Sequence, residues 1–188
     1  MPTPLVRICI TGPECTGKTT LARRLADALG TECVPEGARA YAERVAHDLS
    51  ADTVEPIARE HIELADAAAR RVRANDGTLL VLDTDLVSTI VYGRSYYGFT
   101  SEFIEREERA RRADLYLLCD VDVPWYPDGI RDRPSDRERM FELFRAALAE
   151  RETRAVVIRG DWDARWKTAF EATVMQSASI RQIRVNPR

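Results

Sequence analysis

The sequence predicts an α/β fold in three layers, a five-stranded parallel sheet with helices on both faces and a mobile lid. Two observations carry that expectation. Five short apolar runs alternate, along 188 residues, with stretches of helical period. The first junction between a strand and a helix is glycine-rich and reads Gly12-Pro-Glu-Cys-Thr-Gly-Lys-Thr19. That is a complete G-x-x-x-x-G-K-[ST] phosphate-binding pattern in the setting it requires.

Leu5–Thr11 is the first expected strand, and the helix after the loop runs to about Leu29 with Gly30 as its stop. Thr31–Val34 is a short second strand, Pro35-Glu-Gly37 a turn, and Arg39 to about Leu49 helical. Asp52 or Thr53 is placed to cap a long helix reaching about Ala74, with Pro56 tolerated in its first turn. Asn75-Asp-Gly77 ends that helix, and Leu79–Asp83 is an apolar strand closing on an acid. Leu86–Tyr97 and Glu102–Arg112 read as helices, the latter with a mixed-charge, solvated face, and Leu115–Cys119 as the fourth strand. Residues 120–136 are rich in Pro, Gly and Asp and read as a loop, with the lid at about 122–137. Arg137–Glu150 is helical, Ala155–Arg159 is the fifth strand, and a last helix reaches about Met175. The stretch from about 176 to 188 carries Arg181, Arg184 and Arg188 without an acid and reads as a solvated, partly ordered tail.

The length fits a single domain spanning 1–188. A formal charge of -3 gives no broad basic surface, which argues against a nucleic-acid partner. No apolar run is long enough to span a bilayer, and Met-Pro-Thr-Pro lacks the features of a signal peptide, so a cytoplasmic location is expected. Cys9, Cys15, Cys33 and Cys119 form no C-x-x-C pair and only two His are present, so no zinc site is expected. The expected partner is therefore a small molecule; the oligomeric state is not set by the sequence.

In parallel sheets of this kind ligands collect at the carboxyl ends of the strands. Gly12, Glu14, Thr16, Gly17, Lys18, Thr19 and Thr20 make up the expected phosphate cradle. Its backbone N–H groups and helix N-terminus favour anions, Lys18 reaches the β- and γ-phosphates, and the Thr19 hydroxyl suits Mg²⁺. ATP with Mg²⁺ is the expected cofactor. Asp83, at a strand tip, is the candidate second metal ligand, and Asp85 either orients an acceptor hydroxyl or caps the next helix. Glu36 fits either a base for a substrate hydroxyl or a helix-start acid paired with Arg39, itself a candidate substrate contact. Arg131 and Arg137 are candidates for neutralising a transferred phosphoryl group from the lid, although the alternation of Asp and Arg there also fits a salt-bridged loop. Trp125 is either a stacking face for a heterocycle or an anchor for its loop, Tyr92 a core residue close enough to line a pocket. Asp128 opens the Asp-Gly-Ile-Arg131 run and joins the candidate substrate contacts. His47 and His61 are given no role.

Several of these pieces together resemble one known family, the ribosylnicotinamide kinase domain of the NadR type, within the small-molecule P-loop kinases. The matching runs are Gly12–Thr20, Pro35-Glu-Gly-Ala-Arg39, Leu82-Asp-Thr-Asp85, and Leu117-Leu-Cys-Asp-Val-Asp-Val-Pro-Trp125 leading into Asp128-Gly-Ile-Arg131. The resemblance covers roughly residues 5 to 170. It implies a three-layer P-loop kinase fold. It also implies transfer of the γ-phosphate of ATP to the 5′-hydroxyl of nicotinamide riboside, giving nicotinamide mononucleotide. It places Glu36, Asp83 and Asp85 near the acceptor ribose and metal, and Arg131 and Arg137 in the lid. The adenylyltransferase and DNA-binding activities of NadR-type proteins are not expected from this chain. Gly37 and Pro35 depart from the bulky or aromatic residues usual in the family pocket, and Cys15-Thr16 stands where two serines are common. Two alternatives stay open: a kinase for another nucleoside or vitamin alcohol, and an ATP-binding regulatory switch without transfer.

Overall fold

A computed structural model describes residues 5–38, 41, 44, 49–125 and 136–185. The strands are β1 (Val6–Thr11), β2 (Cys33–Val34), β3 (Leu79–Asp83), β4 (Leu115–Cys119) and β5 (Ala155–Ile158). They pair in the order β2-β3-β1-β4-β5, and every pairing is parallel. The helices among the described residues are α1 (Lys18–Leu29), α2 (Ala51–Ala74), α3 (Leu86–Tyr97), α4 (Glu102–Arg111), α5 (Arg137–Glu150) and α6 (Trp162–Val185). Gly37, Ala38, Tyr41 and Arg44 are also helical, within the stretch expected to be so.

The sheet is buried on both faces because side chains alternate across each strand. Ile8, Ile10, Val81, Leu115 and Leu117 face Leu21, Leu25 and Ala169 of α1 and α6. Cys9, Leu80, Leu82, Tyr116 and Leu118 face the opposite layer, with Ala68 and Val72 of α2, Val87 and Val91 of α3, and Met140 and Phe144 of α5. The central strand β1 lies between β3 and β4, with Ile10 opposite Asp83 and Thr11 opposite Leu118. The ends of these three strands therefore open at one level, which fixes where a ligand can approach several elements at once. No helix among the described residues is long and apolar enough to cross a membrane.

Three local expectations are corrected. The N-cap of α2 is Ser50, with Thr53 at the third helical position; the Ser50 N–H donates to Thr53 Oγ1 at 3.0 Å. The last helix does not stop near Met175 but runs to Val185. Gln176 explains the extension: it is buried, its amide donates to the Asp114 carbonyl at 3.0 Å, and its oxygen accepts from Arg154. The charged run on α4 is not all solvated. Glu108 is 2 % exposed and accepts from Arg112 at 2.7 and 2.9 Å, with Arg151 at 3.2 Å. Arg112 also donates to the Arg151 carbonyl, so the cluster ties α4 to the turn between α5 and β5.

Arg151 is itself only 8 % exposed, and removing Glu108 leaves it only the longer pairs with Glu105 and Glu150, each at 3.6 Å. Glu108→Ala is expected to destabilise the fold by about 3 kcal/mol in urea unfolding, the lower end for a broken buried pair. A loss under about 1 kcal/mol, as for a surface pair, would show the cluster to be peripheral.

Candidate active site

The loop between β1 and α1 is shaped by close approaches that only glycine allows. Gly12 has φ 128°, and a Cβ there would stand 2.7 Å from the Cys119 carbonyl oxygen of β4. Gly17 has φ 80°, and its Cβ would stand 2.3 Å from the indole ring of Trp162. Cys15, without a glycine's freedom, also takes a positive φ of 53°. Strain of this kind persists only where surrounding contacts fix it. Those contacts are present: Thr16 Oγ1 donates to the Pro13 carbonyl at 2.8 Å and Lys18 Nζ to the same oxygen at 2.6 Å.

Arg165, on α6, holds the loop from beneath and is 1 % exposed. Its guanidinium donates to Thr16 O of the loop at 3.2 Å, Asp120 O beyond β4 at 3.0 Å and Gly160 O beyond β5 at 2.9 Å. The Asp122 carboxylate pairs with it and also accepts from the Gly160 N–H. One buried cation thus joins three strand ends. No sequence motif marks Arg165; its one local cue is its place five residues after the Gly160 turn.

Asp83 ends β3 beside this loop and is 2 % exposed. Its Oδ1 is buried without a hydrogen-bond partner among the described residues, while the Thr19 hydroxyl bonds its carboxylate. Burial raises its pKa, and the Glu36 charge adds to the rise; the Thr19 bond, Lys18 and Arg23 act in the other direction. An orphaned carboxylate oxygen next to a threonine hydroxyl is a hard-oxygen pair of the kind Mg²⁺ takes. Among the described residues no cluster of three or more His, Cys, Asp or Glu could hold a metal alone. Mg²⁺ commonly uses one or two carboxylates and completes its shell with phosphates and water, so the donor set fits.

Asp85 is differently engaged. Val87 N–H donates to its Oδ1 at 3.0 Å, which caps α3, and Tyr116 OH donates to its Oδ2 at 2.7 Å. Burial pushes its carboxyl up to about 6. The cap reading is thus the one the contacts support. Glu36 lies half-buried on the turn after β2, within electrostatic reach of Asp83 and of His61. His61, on α2, is buried beneath that turn: a Cβ at Gly37 would stand 3.1 Å from His61 Cβ. The space that a bulky residue at position 37 would need is occupied by this histidine, which the sequence reading passed over.

Arg137 opens α5, is 8 % exposed, and donates to the Val123 carbonyl at 3.1 Å and to the Cys15 carbonyl at 3.4 Å. It therefore links the segment after β4 to the phosphate loop. Trp125, in that segment, is half-buried, and its Nε1 is buried without a partner among the described residues. Tyr92 on α3 donates its hydroxyl to Glu14 Oε2 at 3.2 Å. Arg39, Asp128 and Arg131 lie outside the described residues, as does most of the expected lid.

Two expectations follow. Arg165→Met keeps volume but removes every donor to the three strand ends, so nucleotide affinity should fall at least about tenfold while the sheet survives; hydrogen exchange should then rise in 12–19. Unchanged affinity would show that the loop holds itself. Burial lowers the His61 pKa to about 4, below its ordinary 6.5. The unfolded chain thus binds the extra proton between these values. The His61 contribution is complete above pH 6.5 and is lost as pH falls through 4. Wild type should lose up to about 3 kcal/mol relative to His61→Gln over that window, read from urea midpoints at each pH.

A family model described as an AAA domain matches residues 7–165. The trifunctional NAD biosynthesis/regulator protein NadR of Escherichia coli (strain K12) is 29% identical over 174 residues, 87% of this chain and 41% of that protein. A crystal structure of NadR protein in complex with NR superimposes with a TM-score of 0.74 at 26% identity, covering 93% of this chain and 52% of that one. Thymidylate kinase from Ehrlichia chaffeensis shares the fold, with a TM-score of 0.64 at 17% identity over 92% of this chain and 98% of its own. The chain spans less than half the length of the curated NadR proteins it matches. The resemblance read from the sequence is borne out, and the chain belongs to the AAA domain family, with the P-loop fold that NadR shares.

Proposed function

We propose that this chain is a small-molecule kinase that transfers the γ-phosphoryl group of ATP to the 5′-hydroxyl of nicotinamide riboside, giving nicotinamide mononucleotide. The observation that carries the reading is the orphaned Asp83 oxygen beside Thr19, at the foot of a complete phosphate loop and within electrostatic reach of Glu36. The similarity to NadR, including a structure in complex with NR, supports the acceptor.

Phosphoryl transfer asks a protein mainly to position reactants and to stabilise charge. Here the 12–19 loop and the start of α1 would receive the triphosphate, with Lys18 meeting the β- and γ-phosphates. Thr19 and Asp83 would hold Mg²⁺, which when bound offsets phosphate charge. Glu36 would accept the proton of the attacking hydroxyl. Arg137, pinned between the loop and Val123, would add positive charge at the phosphoryl group. Asp85 would act at a distance, by capping α3 and fixing the end of β3.

A second reading keeps the chemistry and changes the acceptor. His61 behind Gly37 gives the pocket wall a different shape from that of family members with a bulky residue there, which suits a different nucleoside or alcohol. Purified protein with Mg²⁺-ATP and a panel of nucleosides and vitamins, followed by mass spectrometry, separates the readings. Nicotinamide mononucleotide well above other products is expected. Another product would move the acceptor, and ADP without any phosphorylated acceptor would favour a switch.

Lys18→Ala should lower turnover by about 10²-fold or more with the fold intact. Glu36→Gln should lower transfer by about 10²- to 10⁴-fold and leave ATP affinity unchanged, read by single-turnover kinetics and nucleotide titration. A fall in ATP affinity with transfer per bound ATP preserved would make Glu36 structural.

A further inference from the structure

The phosphate loop holds a carboxylate that the transfer chemistry does not use. Glu14 is 4 % exposed. Tyr92 OH donates to its Oε2 at 3.2 Å, while Oε1 is buried without a hydrogen-bond partner among the described residues. The cations that touch this loop or its supports donate to groups other than Glu14. Lys18 Nζ is on the Pro13 carbonyl, Arg137 on the Val123 and Cys15 carbonyls, and Arg165 on Asp122.

A buried carboxylate oxygen without a hydrogen bond is costly, and a triphosphate on the same loop adds to the cost. The backbone N–H groups of the loop suit phosphate, whereas the Glu14 side chain does not. Its surroundings suit a flat cation. Tyr92 packs against Tyr96 at 5.4 Å and Phe144 at 5.6 Å, which holds the phenol that orients Glu14. Arg137 joins the Val123 carbonyl to the Cys15 carbonyl, and Trp125, two residues after Val123, is half-buried with its Nε1 unpartnered among the described residues. Aromatic faces and a fixed negative charge together bind a planar cation.

We propose that Glu14, oriented by Tyr92, recognises positive charge on the acceptor's heterocycle, so that the site selects a riboside of a cationic ring over its uncharged counterpart. The inference rests on the riboside-kinase reading above and adds a residue that sets its specificity. Nicotinamide riboside carries a pyridinium; its 1,4-dihydro form has the same sugar and 5′-hydroxyl but a neutral ring.

The test compares kcat/KM for these two acceptors in wild type, Glu14→Gln and Tyr92→Phe. Glutamine keeps an acceptor for Tyr92 and removes the charge. Wild type should prefer the cationic acceptor at least tenfold. Glu14→Gln should cut that preference about tenfold through KM of the cationic acceptor, with KM for Mg-ATP within twofold. Tyr92→Phe should shift it the same way by less. Equal losses on both acceptors, or a raised KM for Mg-ATP, would overturn the assignment and make Glu14 part of the loop's architecture. Titration of 1-methylnicotinamide, a pyridinium cation, against neutral nicotinamide, followed by tryptophan fluorescence, reads the charge preference without transfer. If neither riboside is phosphorylated, the acceptor reading fails. The charge assignment then stands only if wild type prefers the cationic ring and Glu14→Gln abolishes that preference; absence of a preference in wild type overturns it.

Discussion

The site depends on a buried guanidinium. Arg165 gathers the carbonyls of Thr16, Asp120 and Gly160, which belong to the phosphate loop and to the ends of two strands. Carbonyls at strand ends have no partner in the sheet itself and must find donors elsewhere. A planar side chain with five donors can serve several at once, and a lysine could not do so in the same geometry. The Asp122 carboxylate completes the set, so the cation is buried with both charge and hydrogen bonds matched. The consequence is a phosphate loop shaped by the fold. Its positive-φ residues, Gly12, Cys15 and Gly17, keep their conformations because the surroundings fix them.

On the other side of the loop the electrostatic balance reverses. Asp83, Asp85, Glu36 and Glu14 lie at or near the carboxyl ends of β1 to β3. Each is handled differently. Asp85 has both oxygens bonded and serves the fold by capping α3. Asp83 and Glu14 each keep one oxygen unbonded among the described residues. Buried polar atoms left in that state are costly unless something else meets them. On the proposed function, a divalent ion would meet the Asp83 oxygen and a cationic ring the Glu14 oxygen.

The architecture was readable because its signals are local. Strand alternation, the phosphate-loop pattern and the Gly30 stop each reside in a few consecutive residues. The misplaced end of the last helix depends on a distant partner. Gln176 extends α6 by bonding Asp114, 62 positions earlier in the chain, and nothing in residues 176–185 announces it. The same holds in the site. Thr19, Asp83 and Lys18 follow from the motif and its strand, whereas Arg165 meets Thr16 across 149 positions. His61 was passed over because its importance arises from the missing side chain of Gly37 on a different element. Asp85 was legible as either a cap or a site residue, and Tyr116, which engages its second oxygen, lies 31 positions away.

A crystal structure with Mg²⁺ and a non-hydrolysable ATP analogue tests the central claim most directly. Triphosphate oxygens are expected on the backbone N–H groups of 12–19, and the metal on Thr19, with Asp83 in its shell directly or through one water. The Arg165 contacts should be unchanged. A triphosphate bound elsewhere, or a metal that leaves Thr19 and Asp83 untouched, would contradict it.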